Sequence, residues 1–387
     1  MTAIRLFYAT NRAHTGRDRA APSGYGPKFS NDGIENLRFG KVTFDADAKQ
    51  IGKFVNKRID GGVGDGKALG EYFLKQVRKS MSITPYPEVL DPLVSDTQQP
   101  DAKLGSKAMF VDLHDLMCKA TDIVVFIHGF NVTWPEAVAS AGALQQMLSD
   151  NPARDPSRNV QVMLFSWPSD GMALPYVSYK SDRTEAQGSG YAFARGLLKL
   201  RDFLAAMRDE DGKRLALCRR SIHLLCHSMG NYVLQSTVKR MADFTPGSTM
   251  PRLFEHVFMC APDVDDNVFE LNEPLSMIHE LAHSVTVYHT RGDKAMYGSD
   301  YTKGNAERLG TNGCARPAAV HNKIHQVDCS DVVNETFDEH GYYLWGLTNA
   351  DIRQSIDGLA HDAPARRRLA PRELPNVWAL SRSGREV

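Results

Sequence analysis

From residue 122 onward, short unbroken apolar runs alternate with stretches whose apolar residues recur at helical spacing. "DIVVFIHGF" (122–130) is β-branched and continuously apolar, the pattern of a strand buried on both faces. A helical pattern follows over 134–148, then a strand in "VQVMLFSWP" (160–168) and a helix over about 186–208. The rhythm continues with "SIHLLCHS" (221–228) as strand, 229–242 as helix and "HVFMCAP" (256–262) as strand. "VFELNEPLSMIHELA" (268–282) reads as helix, "SVTVYHT" (284–290) as strand and "IHQVDCS" (324–330) as a last weak strand, before a helix over 344–359. Strands and helices in strict alternation imply an α/β fold: a mostly parallel sheet with helices on both faces.

The first third is less regular. "IRLFYAT" (4–10) and "LRFGKVTF" (37–44) read as strands separated by a loop rich in Gly, Pro, Ser and Asn, which suits an antiparallel N-terminal pair. "LGEYFLKQVRKS" (69–80) has helical spacing. "GGVGDG" (61–66) lacks the Lys-Ser/Thr of a phosphate cradle and follows no clear strand, so it reads as a flexible loop. "TPYPEVLDPLVSDTQQPD" (84–101) is proline-rich, and residues 45–115 as a whole read as an insert or a lid. The expected organisation is a single domain over 1–360 followed by a basic, proline-containing tail over 361–387. The tail's triplet Arg366-Arg367-Arg368 reads as solvated or loosely docked, with a docking patch for an acidic partner as the alternative.

Composition narrows the classes. Hydrophobic residues are 42% and charged residues 24% of 387, enough for a sizeable core. Lys plus Arg equal Asp plus Glu at 46 each, so no global field points to nucleic acid or to a membrane surface. "MTAIRLFYATNR" is no secretory signal, and runs such as "IVVFI" are too short to span a bilayer. The six cysteines form no close CxxC pair, and the expectation is mostly buried thiols in a reducing cytoplasm.

Ser228 stands where the strand 221–228 gives way to a helical pattern, in Cys226-His227-Ser228-Met229-Gly230. A sharp strand-to-helix turn with small flanks lifts a serine hydroxyl above a parallel sheet, and the usual pattern is Gly-x-Ser-x-Gly. Here cysteine replaces the first glycine. The competing reading is an N-capping serine. Acyl transfer also needs two backbone donors for the oxyanion. The amide of Met229 follows the nucleophile directly. The amide of Phe130 lies in "HGFN", at the end of the strand about a hundred residues earlier.

The base and its acid should follow the serine in the order acid, then histidine. Asp293, in Arg291-Gly292-Asp293, lies in the loop after the second strand beyond the elbow; its competing role is a turn residue. Asp263 in "CAPDVDD" is the alternative acid. The "DVDDN" cluster lacks the glycine and terminal glutamate of a calcium loop. His340, past the last strand and before the last helix, is the expected base. His321 and His325 form an HxxxH pair without the adjacent glutamate of a metalloprotease, and no metal site is expected. His289 suits a supporting role, and His227 a core or capping role with its ring turned away from the hydroxyl. Trp134, Trp167 and Tyr176 are candidates to line a substrate pocket, with core packing as the equal alternative, and "SYKSDRTEAQGSG" (178–190) is a candidate border of the entrance.

Taken together, "LFYATNR", "VVFIHGFNVTW", "VMLFSWPS", "LLCHSMGNYVL", "CAPDVDDNVF", "VTVYHTRGDKAM" and "HGYY" resemble the alpha/beta-hydrolase subgroup long catalogued as a bacterial domain of unknown function. The resemblance covers about 119–344 and the N-terminal strand. It implies an alpha/beta-hydrolase fold, a Ser228–His340–Asp293 triad, esterase-like chemistry on a small-molecule ester, and no metal or organic cofactor. The leading expectation is therefore a serine carboxylic ester hydrolase. The alternatives are acyl transfer to another acceptor and a non-catalytic interaction protein on a hydrolase scaffold. The sequence assigns no oligomeric state.

Overall fold

Side chains along the run Thr121–Ile127 part to opposite faces of a sheet, as a strand requires. Val124 and Phe126 join one buried cluster, while Ile123, Val125 and Ile127 join the other. Burying such side chains contributes roughly 1.5–3 kcal/mol each, and both faces of this strand gain it. In the computed structural model the described residues are 1–59, 61–87, 105–119, 121–149, 159–169, 175–206, 221–245, 247, 249–295, 307–334, 339–369 and 374–383, with the side chains of 121, 175–178 and 180 outside that set.

The strands are β1 (Thr2–Thr10), β2 (Arg12–Thr15), β3 (Gly24–Phe29), β4 (Arg38–Ala46), β5 (Arg58–Ile59), β6 (Gly62–Val63), β7 (Ser82–Pro85), β8 (Thr121–Ile127), β9 (Asn159–Ser166), β10 (Ile222–His227), β11 (Phe254–Cys260), β12 (Ala282–His289), β13 (Ile324–Asp328), β14 (Arg368–Leu369) and β15 (Val377–Leu380). The helices are α1 (Ala48–Val55), α2 (Gly66–Ser80), α3 (Gly105–Cys118), α4 (Trp134–Ser149), α5 (Pro175–Ala206), α6 (Gly230–Phe244), α7 (Ile278–Leu281), α8 (Leu309–Asn312) and α9 (Gly346–Ile356).

One sheet of eleven strands runs in the order β14-β15-β13-β12-β11-β10-β8-β9-β1-β4-β7. From β15 to β1 every neighbouring pair is parallel. Antiparallel pairs stand only at the ends, β1 with β4, β4 with β7 and β14 with β15. The mostly parallel sheet expected from the alternation is therefore present, with antiparallel N-terminal strands. Loops after β8, β9, β10, β11, β12 and β13 all leave from the same edge, where reactive groups of open α/β sheets gather.

Four expectations change. Residues 268–282 are helical only at Ile278–Leu281. Asn272 takes a left-handed backbone (φ 68°) and Pro274 lacks an N–H, so no helix can run through them.

The described part of 45–115 is no lid: β7 pairs with β4 at the sheet edge, and α2 packs on α4. Residues 88–101 of the proline-rich stretch lie outside the described residues.

"GGVGDG" is a built hairpin end rather than a flexible loop. The N–H of Gly346 donates to Gly64 O across 3.1 Å. A Cβ added at Gly62 would lie 2.5 Å from the carbonyl carbon of Gly346, so only glycine allows this approach. This first third thus braces the segment that follows His340.

The tail is no loose appendage. β14 and β15 extend the main sheet, and Arg366 and Arg368 are fully buried against Asp351. Arg367 alone turns outward, to the carbonyl of Arg382. Residues 370–373 and 384–387 lie outside the described residues. Among the described residues, no helix is long and apolar enough to cross a membrane.

Candidate active site

Ser228 directly follows β10 with φ 51°, a left-handed conformation that a side chain rarely adopts. Backbone and side-chain hydrogen bonds hold it there. Its N–H donates to Cys260 O on the next strand (2.9 Å), its carbonyl accepts from Asp263 N–H (3.2 Å), and Asn231 Nδ2 donates to the same carbonyl (3.1 Å). Asn231 also reaches Cys226 O at 3.1 Å, tying strand to helix across the turn. Strain of this kind persists only when neighbours over-determine it. The elbow geometry, with Met229 preceding α6, differs from that of a serine whose side chain caps a helix: Ser228 Oγ accepts no helix N–H among the described residues.

Cys226, in place of the usual glycine, is fully buried in the apolar layer, and burial raises its thiol pKa well above the ordinary value. It is a neutral packing group. Cys260, Cys314 and Cys329 are likewise buried, and Cys118 is exposed. Cys218 lies outside the described residues.

The loop after β8 closes on the elbow. A Cβ added at Gly129 would stand 2.9 Å from Ser228 Cβ, and one at Gly230 would stand 2.7 Å from His128 O. Only glycine permits this approach. The amides of Met229 and Phe130 have no acceptor among the described residues. Asn131, at φ 56°, turns the chain away, and its N–H goes to Asp182 Oδ2 at 3.3 Å.

Behind this loop lies Arg12, fully buried. Its five N–H groups meet five acceptors: Ser166 Oγ (2.9 Å), Gly26 O (3.2 Å), Ser169 O (3.4 Å), His128 Nε2 (3.3 Å) and Val132 O (2.7 Å). Burial lowers its pKa to about 9, against the pull of Asp182, Glu185 and Glu136. Burial and Arg12 together lower His128 to about 3. In the sequence this stretch figured as a strand end and as part of the motif "LFYATNR", with nothing to mark Arg12 as buried.

His340 and Asp293 meet: Nδ1 of His340 lies 2.6 Å from Asp293 Oδ2. The carboxylate is buried, and its other oxygen accepts from Ala295 N–H at 3.1 Å. His340 also abuts the elbow. His227 Nε2 donates to His340 O across 3.1 Å, and the two rings stand 4.6 Å apart. His227 thus faces the histidine loop, a role its sequence position did not disclose. Ser228 Oγ makes no hydrogen bond to His340 among the described residues; such contacts often tighten only with substrate bound.

The rival acid, Asp263, is engaged elsewhere. Tyr179 Oη donates to it across 2.7 Å and Arg308 Nε lies 3.4 Å away. Tyr179 and Asp182 both come from α5, so part of the polar segment 178–190 does border the site.

Two of the three aromatic candidates sit in packing roles. Trp134 is 1% exposed and meets Tyr8 and Tyr25 edge-on in the core. Trp167 is 0% exposed, stacks on His128 and donates its indole N–H to His128 O at 2.9 Å. The side chain of Tyr176 lies outside the described residues. His321 and His325 do not form a pair; each stacks on a different ring, His279 and His361. His289 is buried beside Gly313, and burial lowers its pKa. Among the described residues no group of three or more potential ligands could hold a metal ion.

A strained serine at a strand end, a glycine loop closed upon it and an imidazole on a carboxylate sit at one edge of a parallel sheet. The model of the family described as alpha/beta hydrolase of unknown function (DUF900) matches residues 109–354. The chain belongs to that family. No curated protein matches it. In this alpha/beta hydrolase the matched segment contains Ser228, Asp293 and His340, whereas Arg12, β1 and the buried arginines of the tail lie outside it.

Proposed function

We propose that the protein is a serine carboxylic ester hydrolase acting through an acyl-enzyme. The observation that carries this reading is the 2.6 Å contact between His340 Nδ1 and Asp293, on a loop braced by the residue before Ser228. A carboxylate on Nδ1 keeps the proton there and leaves Nε2 as the basic nitrogen. Nε2 of His340 takes the proton of Ser228 Oγ as the oxygen attacks the ester carbonyl. The N–H groups of Met229 and Phe130 receive the oxyanion. Collapse expels the alcohol, which takes its proton from His340. Water then attacks the acyl group, giving its proton to His340, and the acid leaves with Ser228 restored. Asp293 stabilises the imidazolium that forms in each half.

The test uses a short-chain aryl ester and a fluorophosphonate probe. Ser228→Ala is expected to abolish labelling and to lower turnover by up to about 10⁶-fold. Asp293→Asn is expected to lower kcat by about 10⁴-fold, as when a triad acid becomes an amide, and Asp263→Asn by far less. Labelling of Ser228→Ala equal to that of the wild type would end this reading.

A further inference from the structure

The hydrogen bonds behind the glycine loop fix more than its position. An arginine side chain offers only donors. His128 Nε2, 3.3 Å from Arg12 Nη2, must therefore accept, with the Ser166 hydroxyl 3.2 Å from the same nitrogen. A neutral imidazole with Nε2 unprotonated carries its proton on Nδ1. Nδ1 lies 2.9 Å from the carbonyl oxygen of Gly129, which can only accept. The two ends of the ring thus agree on one tautomer. That tautomer holds the Gly129 carbonyl on the side of His128. The peptide from Gly129 to Phe130 is planar and trans, so its N–H points opposite to its C=O. The N–H of Phe130 therefore points away from His128, on a loop whose Gly129 abuts Ser228. Trp167, donating to His128 O, fixes the preceding peptide as well.

We propose that Arg12 and His128 are positioning residues that set the direction of the Phe130 N–H, so that Arg12, the first residue of β2 and outside the family-matched segment, completes the oxyanion site. This rests on the ester-hydrolase reading above. Arg12 selects the His128 tautomer, His128 holds the Gly129 carbonyl, and peptide planarity transmits the orientation to the donor. A guanidinium with all five N–H groups used cannot shift without breaking several contacts at once.

Removing one oxyanion donor lowers kcat by about 10²–10³-fold, and mis-aiming one should approach the lower end. His128→Phe keeps the stack on Trp167 but loses both ring nitrogens. Its kcat on the aryl ester is expected to fall about 30- to 100-fold with KM within about threefold, by analogy with donor loss. Fluorophosphonate labelling should slow in parallel, since the phosphonyl oxygen occupies the same donors. His128→Asn places an amide N–H near the Nδ1 position and should recover most of the lost kcat. Arg12→Lys keeps the charge without the fork and should behave like His128→Phe. A folded His128→Phe with wild-type kcat, or His128→Asn as slow as His128→Phe, overturns the proposal. A neutron structure of the wild-type protein tests it without substitution: a deuteron on Nδ1 and none on Nε2 of His128 is expected, and the reverse overturns it. If the wild type shows no Ser228-dependent turnover or labelling, the ester-hydrolase reading fails by that result, while the tautomer is still read by neutrons.

Discussion

His227 donates its Nε2–H to the backbone carbonyl of His340 across 3.1 Å, with Tyr343 packed 4.7 Å from the same ring. The residue before Ser228 therefore braces the loop that carries His340. Burial, and then the nearness of His340, holds the His227 pKa well below the ordinary value, so this ring stays neutral. His227→Phe preserves the ring contacts and deletes the bond. It should lower kcat about tenfold, the effect of a buried hydrogen bond of about 1.4 kcal/mol, with little change in KM. In the wild type the acid limb of log kcat/KM against pH should have a slope of one, from a single imidazole. A slope of two would mean that both rings titrate, contrary to this account.

Asp351 holds two buried cations. Arg366 and Arg368 each grip its carboxylate with two nitrogens at 2.6–2.9 Å, and Tyr288 Oη adds a fifth donor at 2.8 Å. Burial by itself would raise the Asp351 carboxyl, but Arg368 and Arg366 outweigh it and hold the group well below the carboxylate range. Removing one partner of such a cluster strands the other charges in a dry interior, at about 3–5 kcal/mol. Asp351→Asn should lower the urea midpoint accordingly, without a change in kcat for the surviving folded fraction. A chain ending at residue 360 should fail to fold, because it loses β14, β15 and both arginines. Wild-type stability of either variant would show that the tail is dispensable.

Acid should unfold this protein earlier than its balanced charge suggests. Burial first, then cationic neighbours, lowers His128 to about 3, His256 to about 3 and His325 to about 4. Their unfolded-state values lie near 6.5. Because the folded pKa is the lower one, the stability is fully present above about pH 6.5. It is lost as pH falls toward 4 and 3, where only the unfolded chain takes up these protons. Each group contributes at most about 1.4 kcal/mol per pH unit over that window, less for His256 and His325, which are not fully buried. Urea titrations at pH 7.5, 6 and 5 should show a steepening decline below pH 6.5. A flat profile from pH 7.5 to 5 would contradict the buried neutral histidines.

The strands from 121 to 328 were legible because each carries its environment in its own residues: an unbroken apolar run implies burial on both faces wherever its neighbours lie. Ser228, Asp293 and His340 were legible as candidates for a related reason. A serine between strand and helix, and polar residues just past strand ends, mark the reactive edge of a parallel sheet before any contact is known. The glycines of 61–66 misled because the freedom of glycine and the close approach of another backbone leave the same local signature. What fills the space is Gly346, far along the chain.

Local sequence thus determined the element types, the parallel sheet and the edge where chemistry would gather. Tertiary structure alone decided which charges are buried and what each one orients. Arg12, Arg366 and Arg368 look like surface residues because an isolated guanidinium belongs in water. They are interior because acceptors from distant segments, His128 and Ser166 for one and Asp351 for the others, replace that water. No window of neighbouring residues contains those partners, and so the burial of a charge is a property of the folded molecule alone.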